Sequence, residues 1–488
     1  MIGITSYGAY IPHYRLKRDI IFAAMGWFNS GNASVSRGEK AVTNHDEDTL
    51  TMAVSAAIDC LNGRKGNTIG GLYLGSTTAP YVERLNSAIC AAALSLKPDV
   101  RTADFNACLR AGTSALISAC EAVNMNSVDN LLVCASDSRQ GKPGSHFEYT
   151  FGDGAAALMV GRENVVAEFK GCYSLSHDFI DYRRLQEDRF VRGWEERWIK
   201  DEGYAKIIPQ AVSGLLKKYQ LKIDDFASLV ISCPDSRSLS KIGKTIGIKP
   251  EKLQDNLMSN VGDTGAALPL MMLVAALEKA SAGDKIMVVS YGSGSDVLFF
   301  EVTEKIDKLK AGSGIKGCLN LKGDLDNYSK YLVYRDILPI EIGIRGEEMP
   351  PLRLSMMNRE GQTMASLQGC RCKACGTPQF PKQHTCINPE CGVIDQMEKY
   401  SFHDKIGRIK SFTGDNLAYS ISPPAIYGLI DFDEGGRLYL DITDCDLADL
   451  KVGSKVKMSF RRRYADKKRS VFAYFWKAVP IKNVNLEG

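Results

Sequence analysis

Short apolar runs alternate with longer alanine-rich stretches over residues 1–305. The apolar runs have the length and composition of buried strands, and the alanine-rich stretches have helical periodicity. This alternation predicts a layered α/β fold. The predicted strands are GGLYLGSTT, DNLLVCASD, AAALMVG, ASLVISCPD and KIMVVSYGSGSDVLFFEV, and the predicted helices are Thr49–Leu61, Asn86–Leu96, Gly112–Val123, Tyr204–Tyr219 and Ala266–Ser281.

The two halves of this region follow one plan. In the first half, the strand LYLGS precedes NACLRAGTSAL, which begins a small-residue helix and leads to the strand DNLLVCAS. About 155 residues later, LVISC, NVGDTGAAL and DKIMVVSY follow in the same order. Alanine-rich helices resemble one another by chance, but three elements at nearly the same offset favour an internal duplication.

The pattern changes after residue 305. Residues 306–365 have mixed charge and no clear period, which indicates a connector with one or two helices. From residue 366 a cysteine cluster precedes five short β-rich runs, and this spacing predicts a small all-β barrel. The runs are Gly407–Thr413, Ala425–Phe432, Leu438–Ile442, Lys455–Phe460 and Val471–Val479. The predicted domains are two halves of one body (1–160 and 161–305), a connector (306–365), a metal-binding ribbon (366–395) and a barrel (396–488).

Composition narrows the class of protein. The 488 residues are 44% hydrophobic and 24% charged, with a net charge of +4, so composition argues neither for disorder nor for nucleic-acid binding. Fourteen cysteines are too few for a disulfide scaffold of this length. The N-terminus lacks the pattern of a signal peptide, and no apolar run is long enough to span a membrane. We therefore expect a cytoplasmic protein whose cysteines serve metal or nucleophile chemistry.

Two cysteine pairs have the spacing of a metal site. Cys372 and Cys375 form one pair, and Cys386 and Cys391 form the second, each followed by a glycine. Two tight turns that each present two thiolates complete a tetrahedral zinc site, which we expect to be structural. Cys370 and His384 lie nearby but not at this spacing.

Cys108 is the candidate nucleophile. It stands where the strand-like ADFNA passes into a predicted helix. The positive end of a helix dipole favours the thiolate form, and backbone N–H groups there can stabilise an oxyanion. The alternative is a packed core cysteine.

Residues 1–305 resemble the thiolase superfamily, most closely its branch of 3-hydroxy-3-methylglutaryl-CoA synthases and ketoacyl synthases III. The resemblance rests on GITSYGAYIPHYRL, ADFNACLRAGTSAL, HFEYTFGDGAAALMVG, SNVGDTGAALPL and VVSYGSGSD. It implies a duplicated, five-layered αβαβα fold and a homodimer. It also implies that Cys108 carries an acyl thioester and that the backbone N–H of Ser293 joins that of Cys108 in an oxyanion hole.

Residues 366–488 resemble the family that joins a rubredoxin-like zinc ribbon to an OB-fold. The resemblance rests on CKACGTPQFPKQHTC, IGRIKSFT, YGLIDFDEGGRL and LKVGSKVKMSFRR. Such modules accompany thiolase-superfamily enzymes, and two-component thiolases of aromatic degradation are the nearest functional analogy. Other thiolase-pathway subunits are therefore candidate partners.

The chain departs from the synthase pattern at its acid–base positions. Thr77 stands at the place of the family's glutamate, Ser232 at the place of its histidine and Asp263 at the place of its asparagine. A synthase needs a base to form an enolate and an acid for the alkoxide, and Thr77 and Ser232 supply neither readily. Asp263 is the nearest titratable candidate, although capping of the following helix explains it equally well.

Two further candidates for acid–base work lie near these positions. Cys233 is adjacent to Ser232, with a buried structural thiol as the alternative. His146, with Glu148, precedes a glycine-rich turn and could approach the site from a loop, with an exposed or purely structural role as the alternative.

Basic residues offer candidate phosphate contacts. Arg183, Arg184 and Lys200 fall in the stretch that resembles the CoA-proximal region of archaeal-type synthases. The runs at 461–463 and 467–469, beside the aromatic residues at 474–476, could bind acyl-CoA, another subunit or single-stranded nucleic acid, or could simply be a solvated surface.

The sequence therefore favours an acyl-CoA C-acyltransferase that forms or cleaves a carbon–carbon bond next to a CoA thioester through acyl-Cys108. Thiolase-like cleavage of a 3-oxoacyl-CoA is the first interpretation. Condensation of the 3-hydroxy-3-methylglutaryl-CoA synthase type and a non-catalytic acyl-CoA-binding scaffold are the alternatives. Nucleic acid and membranes are not expected partners.

Overall fold

The computed structural model describes residues 1–63, 69–347 and 354–481. Its centre is a mixed nine-stranded sheet with the order β11-β12-β13-β8-β1-β7-β6-β4-β5. The first thirteen strands are β1 Gly3–Tyr10, β2 Tyr14–Lys17, β3 Glu39–Val42, β4 Gly71–Gly75, β5 Arg101–Phe105, β6 Leu131–Ser138, β7 Asp153–Gly161, β8 Ala167–Ser176, β9 Tyr182–Arg183, β10 Arg192–Gly193, β11 Ser228–Ile231, β12 Lys285–Tyr291 and β13 Gly294–Val302.

The sheet confirms the predicted duplication. In the first half the strands follow the order β5-β4-β6-β7-β1. In the second half the order β11-β12-β13-β8 corresponds to β4-β6-β7-β1, and an isolated bridge between Leu229 and Leu253 takes the position of β5. The pairs β4 and β6 in the first half, and β11 and β12 in the second, are parallel. The halves meet where Gly3 and Ile4 of β1 pair with Glu168 and Ala167 of β8. The last predicted strand of this region is in fact two strands, because a turn at Gly292 and Ser293 reverses the chain.

Helices form the other layers of the body. The central helices α4 and α9 share the principal hydrophobic core, and every residue of α9 is buried because sheet strands and α4 surround it. Helices α2 and α3 cover the first half, and α7 and α8 cover the second. The helices are α1 Arg18–Met25, α2 Thr49–Leu61, α3 Asn86–Ala93, α4 Ala111–Asn124, α5 His146–Thr150, α6 Glu196–Trp198, α7 Ile208–Tyr219, α8 Ser236–Ile246, α9 Leu268–Leu277, α10 Gly314–Asn320, α11 Tyr328–Tyr334, α12 Gly343–Glu347 and α13 Leu354–Ser366.

The connector holds more helix than its irregular pattern predicted, since α10 to α13 lie within or at the end of it. Beyond it lie a three-stranded ribbon, β16-β15-β17, and a five-stranded antiparallel sheet, β20-β19-β18-β21-β22. A bridge between Ile442 and Ala478 joins the two edges of this sheet, which closes the predicted barrel. The remaining strands are β14 Gly323–Asp324, β15 Gln368–Cys372, β16 Pro378–Gln379, β17 Met397–Ser401, β18 Gly407–Asp415, β19 Ala425–Phe432, β20 Arg437–Asp441, β21 Lys455–Asp466 and β22 Val471–Pro480.

A buried ionic cluster joins the barrel to the body. Arg461 of β21 is only 1% exposed and contacts Asp46 and Glu47, each at 3.1 Å, as well as Asp444. Lys477 of β22 binds the second oxygen of Asp46 at 3.0 Å. The predicted basic patch is therefore wrong for Arg461, which lies at an internal interface where three carboxylates neutralise it.

Two of the aromatic residues named as stacking candidates for nucleic acid, Tyr474 and Trp476, are buried inside the protein. Trp476 is buried and donates its Nε1–H to the carbonyl of Ala365 at 2.7 Å. Tyr474 is buried and donates to Asp48 at 2.8 Å, at the N-cap of α2. These rings hold the barrel against α2 and α13, so their faces are not open to bases.

Within the part of the chain that the structure describes, no helix combines the length and the apolar character that a membrane crossing needs.

Candidate active site and metal centre

Cys108 lies in a tight turn between β5 and α4. The preceding residue, Ala107, has a φ of +73°, which is uncommon for a residue with a side chain and marks a constrained turn. The carbonyl of Cys108 accepts a hydrogen bond from the N–H of Ala111, the first residue of α4. The cysteine is half-buried, so a substrate can reach its thiol more readily than it can reach those of the core cysteines.

Arg110 sets the electrostatics of this turn. Burial raises the pKa of Cys108, whereas the backbone N–H and the guanidinium of Arg110 act in the opposite direction. This differs from the expected net lowering, because the cost of desolvating a thiolate exceeds the local stabilisation. Asp296 of β13 binds Arg110 at 2.8 Å and also accepts from Thr113 and Ser114 of α4, so Arg110 is held in place.

The turn at Ser293 lies against the turn at Cys108, as the resemblance implied. Ser293 is exposed and has a φ of +46°. A Cβ on the neighbouring Gly292 would lie 2.8 Å from the backbone nitrogen of Leu109 and 3.0 Å from that of Arg110. Only glycine permits this approach, which brings the β12–β13 turn to the start of α4.

A small internal cavity lies behind these turns. Its volume of about 10 Å³ is close to the room that one water molecule needs. Leu109 forms its wall on the side of the Cys108 turn, and two of the substituted synthase positions, Ser232 and Asp263, line it together. The remaining lining residues are Tyr204, Pro234, Gly265, Leu268 and Tyr291.

The carboxylate of Asp263 is held by an ion pair and by a backbone N–H group. One carboxylate oxygen binds Arg139 at 2.9 Å, and the other accepts the N–H of Gly265 at 2.9 Å. Both side chains of the pair are buried, and the guanidinium of Arg139 stacks 4.0 Å from the ring centre of Phe151. The carboxylate of Asp263 is therefore committed to Arg139 and to the backbone of the turn before α9, and Arg139 is a partner that the sequence did not indicate.

Asp137, which sequence reasoning missed, occupies the space beside Thr77. Its buried carboxylate accepts hydrogen bonds from the hydroxyls of Ser76, Thr77 and Thr78 at 2.8–2.9 Å. It also accepts the N–H groups of Thr77 and Ala266. Because five donors surround it, Asp137 braces the loop after β4 against the start of α9. The only signal in the sequence was an acid at the end of a buried strand.

Two of the proposed acid–base candidates, Cys233 and His146, do not line the cavity. Cys233 is fully buried, burial raises its pKa to about 12, and its thiol contacts the carbonyl of Asp235, so it is a structural thiol. His146 is an exposed residue of α5 and does not line the cavity. The carboxylate of Glu148 is occupied by the N–H of Gly144 and the hydroxyl of Tyr328.

The candidate CoA-binding residues occupy different settings. Arg184 donates to the carbonyl of Thr77 at 2.8 Å, which places its exposed loop over the site. Arg183 is exposed on β9, and Lys200 bridges Glu196 and Asp235. Of these three residues, Arg184 is thus the one that contacts the loop after β4.

The four cysteines of the ribbon converge as their spacing predicted. The sulfurs of Cys372, Cys375, Cys386 and Cys391 all lie within 4.8 Å of one another. Two of the separations are 3.5 and 3.8 Å, and a tetrahedral ion with metal–sulfur bonds of about 2.3 Å requires about 3.8 Å.

The surroundings of the four sulfurs also fit a metal ion. Backbone N–H groups of Thr377, Asn388 and Val393 face the sulfurs, as metal-binding knuckles require. His384 is exposed and paired with Asp395, and Cys370 contacts Gln383, so neither completes the set. The residues therefore fit a fully coordinated structural ion.

Comparisons with known proteins agree with this architecture. The family model described as 3-oxoacyl-[acyl-carrier-protein (ACP)] synthase III C terminal matches residues 216–298, and the model of the ChsH2 C-terminal OB-fold domain matches residues 404–461. The hydroxymethylglutaryl-CoA synthase of Methanopyrus kandleri is 35% identical over 63% of this chain and 90% of its own length. That of Methanocaldococcus jannaschii is 34% identical over 64% and 91%.

Solved structures share the fold of the body. A crystal structure of HMG-CoA synthase complexed with CoA superposes with a TM-score of 0.62 and 19% identity, and covers 71% of this chain and 92% of its own. The OleA of Xanthomonas campestris with bound lauric acid and lauroyl-CoA gives a TM-score of 0.55 and 19% identity, with coverages of 62% and 98%.

Proposed function

The chain belongs to the hydroxymethylglutaryl-CoA synthase branch of the thiolase superfamily and is an enzyme of thiolase-like acyl-CoA condensation, and from this premise we propose that it works through an acyl group on Cys108. The observation that carries the proposal is the convergence of two constrained turns. The Ser293 turn is packed by Gly292 directly against the start of α4, beside a half-buried cysteine.

In this mechanism the thiolate of Cys108 attacks the carbonyl carbon of an acyl-CoA, and CoA leaves as its thiol. The developing oxyanion is stabilised by the backbone N–H groups of Cys108 and Ser293. Arg110 offsets part of the cost of forming the thiolate, and Asp296 keeps Arg110 in place. A carbon nucleophile then reacts with the bound acyl group.

Among the specific reactions, condensation of the hydroxymethylglutaryl-CoA synthase type is the first candidate, because the curated relatives described above carry that name. Thiolase-like cleavage of a 3-oxoacyl-CoA is the second candidate. It is favoured by Thr77 and Ser232, which stand where the synthase pattern has its glutamate and histidine. Arg183, Arg184 and Lys200 are the proposed contacts for CoA phosphates.

An open edge of the central sheet supports a proposal for the oligomeric state. Strand β5 ends the nine-stranded sheet and has no neighbour on its outer side among the described residues. Its side chains are exposed or only partly buried. An open edge of this kind favours pairing with a second copy, so we propose a homodimer through the body.

The direct test incubates the protein with acetyl-CoA and with longer and aromatic acyl-CoAs and measures its intact mass. We expect a mass increase equal to one acyl group, which peptide mapping locates on Cys108. Product analysis with acetoacetyl-CoA as acceptor, and with 3-oxoacyl-CoAs plus free CoA, then separates condensation from cleavage. A protein that binds these thioesters but never carries an acyl group would instead be the non-catalytic scaffold.

We further propose that the four-cysteine cluster binds one structural Zn²⁺. Elemental analysis of the purified protein is expected to find one zinc per chain, and Cys375→Ser is expected to lose it, because three thiolates bind the ion far more weakly than four. His384→Asn is the matched control, since His384 lies in the ribbon but outside the cluster, and it is expected to keep the metal. A cluster that stays metal-free when zinc is supplied would contradict the proposal.

A further inference from the structure

Strand β22 of the barrel contacts the loop after β4, which comprises residues 76–85 of the body. The backbone N–H of Phe472 donates a hydrogen bond to the hydroxyl of Tyr81 at 2.8 Å, and the two rings meet edge-on with their centres 5.6 Å apart. Residues 82–85, at the tip of the loop, are exposed. Tyr81 therefore connects the exposed end of this loop to a strand that lies 391 residues further along the chain.

The same strand reaches the beginning of the loop through helix α2. The hydroxyl of Tyr474 donates to one carboxylate oxygen of Asp48 at 2.8 Å, while the other carboxylate oxygen caps α2. Thr49, which follows Asp48, donates its hydroxyl to the carbonyl of Thr78 at 3.0 Å. Two tyrosine hydroxyls, one on the loop and one on the barrel, thus join β22 to both ends of the loop after β4.

The loop in turn lies against the turn that carries Cys108. The N–H of Ser76 donates to the carbonyl of Phe105, three residues before Cys108, at 2.9 Å. A Cβ on Gly75 would lie 2.7 Å from the backbone nitrogen of Gly112, so the end of β4 packs directly on the first turn of α4. A displacement of this loop would therefore move the backbone on both sides of Cys108.

A further set of contacts ties Tyr81 to strand β5, which leads to Cys108. The side-chain amide of Asn86 donates to the carbonyl of Tyr81 at 2.8 Å and accepts the N–H of Tyr81 at 3.2 Å. The same amide also donates to Asp104 at 3.0 Å, and so does the backbone N–H of Asn86 at 2.8 Å. Asp104 is a residue of β5, so the contact with the barrel continues to the strand that precedes the nucleophile.

The proposed reaction depends on how the backbone at Cys108 is oriented. Its oxyanion donors are the N–H groups of Cys108 and Ser293, and such donors act only when they point at the position of the oxyanion. Loops keep this geometry through the residues that support them. We propose that Tyr81 and Tyr474 are positioning residues for this reaction, because they hold the loop after β4 against the Cys108 turn and so keep the Cys108 donor aligned. The inference rests on the proposed function, acylation of Cys108.

The experiment compares two reactions of the Cys108 thiol. Acylation needs the oxyanion donors, whereas alkylation by iodoacetamide needs the thiolate and forms no oxyanion. Acylation is followed by intact mass after rapid quenching, at saturating concentrations of the fastest donor among acetyl-CoA, longer acyl-CoAs and aromatic acyl-CoAs. Alkylation is located on Cys108 by peptide mapping.

Tyr81→Phe and Tyr474→Phe each delete one hydroxyl and keep the ring. Both variants are expected to slow acylation at least about 10-fold, since complete loss of one oxyanion donor costs about 10²–10³-fold and here the donor is misplaced rather than removed. Alkylation should stay within about twofold of wild type, because the thiolate itself is unchanged.

Tyr400→Phe is the matched control. Tyr400 donates to Glu434 at 2.6 Å, so this variant also loses a tyrosine–carboxylate hydrogen bond, but that bond joins β17 of the ribbon to the turn between β19 and β20. It should acylate Cys108 at the wild-type rate. All three variants should have similar melting temperatures, because each loses one hydrogen bond.

Acylation rates in Tyr81→Phe and Tyr474→Phe equal to that of Tyr400→Phe would overturn the inference and leave the proposed function standing. Acylation and alkylation that slow by the same factor would also count against it, since the thiol itself rather than its oxyanion donor would then have changed. Wild-type protein that carries no acyl group from any of these thioesters would remove the proposed function, and the inference with it.

Discussion

Cys108→Ala is expected to lower carbon–carbon bond formation or cleavage by at least about 10³-fold, because removal of a covalent nucleophile leaves only binding and the oxyanion donors. The variant should bind CoA thioesters with nearly unchanged affinity, since alanine occupies less space than cysteine and the backbone N–H groups remain. Its intact mass should show no acyl adduct with any donor. Initial rates at saturating substrate, together with intact-mass spectra, measure both effects.

Cys172→Ala provides the matched control for this variant. Cys172 is also half-buried, but it lies in β8 and belongs to neither the cavity lining nor the Cys108 turn. Its removal should leave acylation and turnover within about twofold of wild type, in line with a surface or packing role. An acyl adduct that persists in Cys108→Ala and disappears in Cys172→Ala would identify Cys172 as the acylated cysteine and contradict the prediction.

Arg461→Leu is expected to destabilise the chain by about 3–5 kcal/mol, because it leaves the carboxylates of Asp46, Glu47 and Asp444 buried without their common cation. Lys477 remains bound to Asp46 and compensates one of the three. The contact between the barrel and the body should weaken first, since the cluster lies at that boundary. Urea unfolding followed by circular dichroism, with limited proteolysis at the connector, measures the loss.

Arg463→Leu is the neighbouring control. Arg463 is exposed and stands at an irregularity in the pairing of β21 with β22, between the register pairs of Arg462 and Tyr464. Its replacement should change the free energy of unfolding by no more than about 0.5 kcal/mol. Equal stability losses in the two variants would show that the ionic cluster has no special role in joining the barrel to the body.

Part of the architecture could be predicted because it depends on local pattern. Strand and helix periodicity located β4, β6, α2 and α4 to within a few residues, since burial of one face or of both imposes a repeat on neighbouring positions. The ribbon could be predicted for a similar reason: two short cysteine spacings determine how two turns present their sulfurs. The two turns come together in one cluster because the short ribbon folds back on itself.

The sequence by itself determined the duplicated body, the clustering of four cysteines in the ribbon and the position of Cys108 before α4. Only the tertiary structure decided which charged side chains are buried and paired with one another. Asp263 pairs with Arg139, which lies 124 residues away in the sequence, and Arg461 pairs with Asp46, which lies 415 residues away. Asp263 was a candidate site residue and Arg461 a candidate surface residue, but each belongs to a buried ion pair. The physical reason is that a side chain's chemistry depends on its burial and its partners, and partners this distant along the chain leave no periodic trace in the sequence.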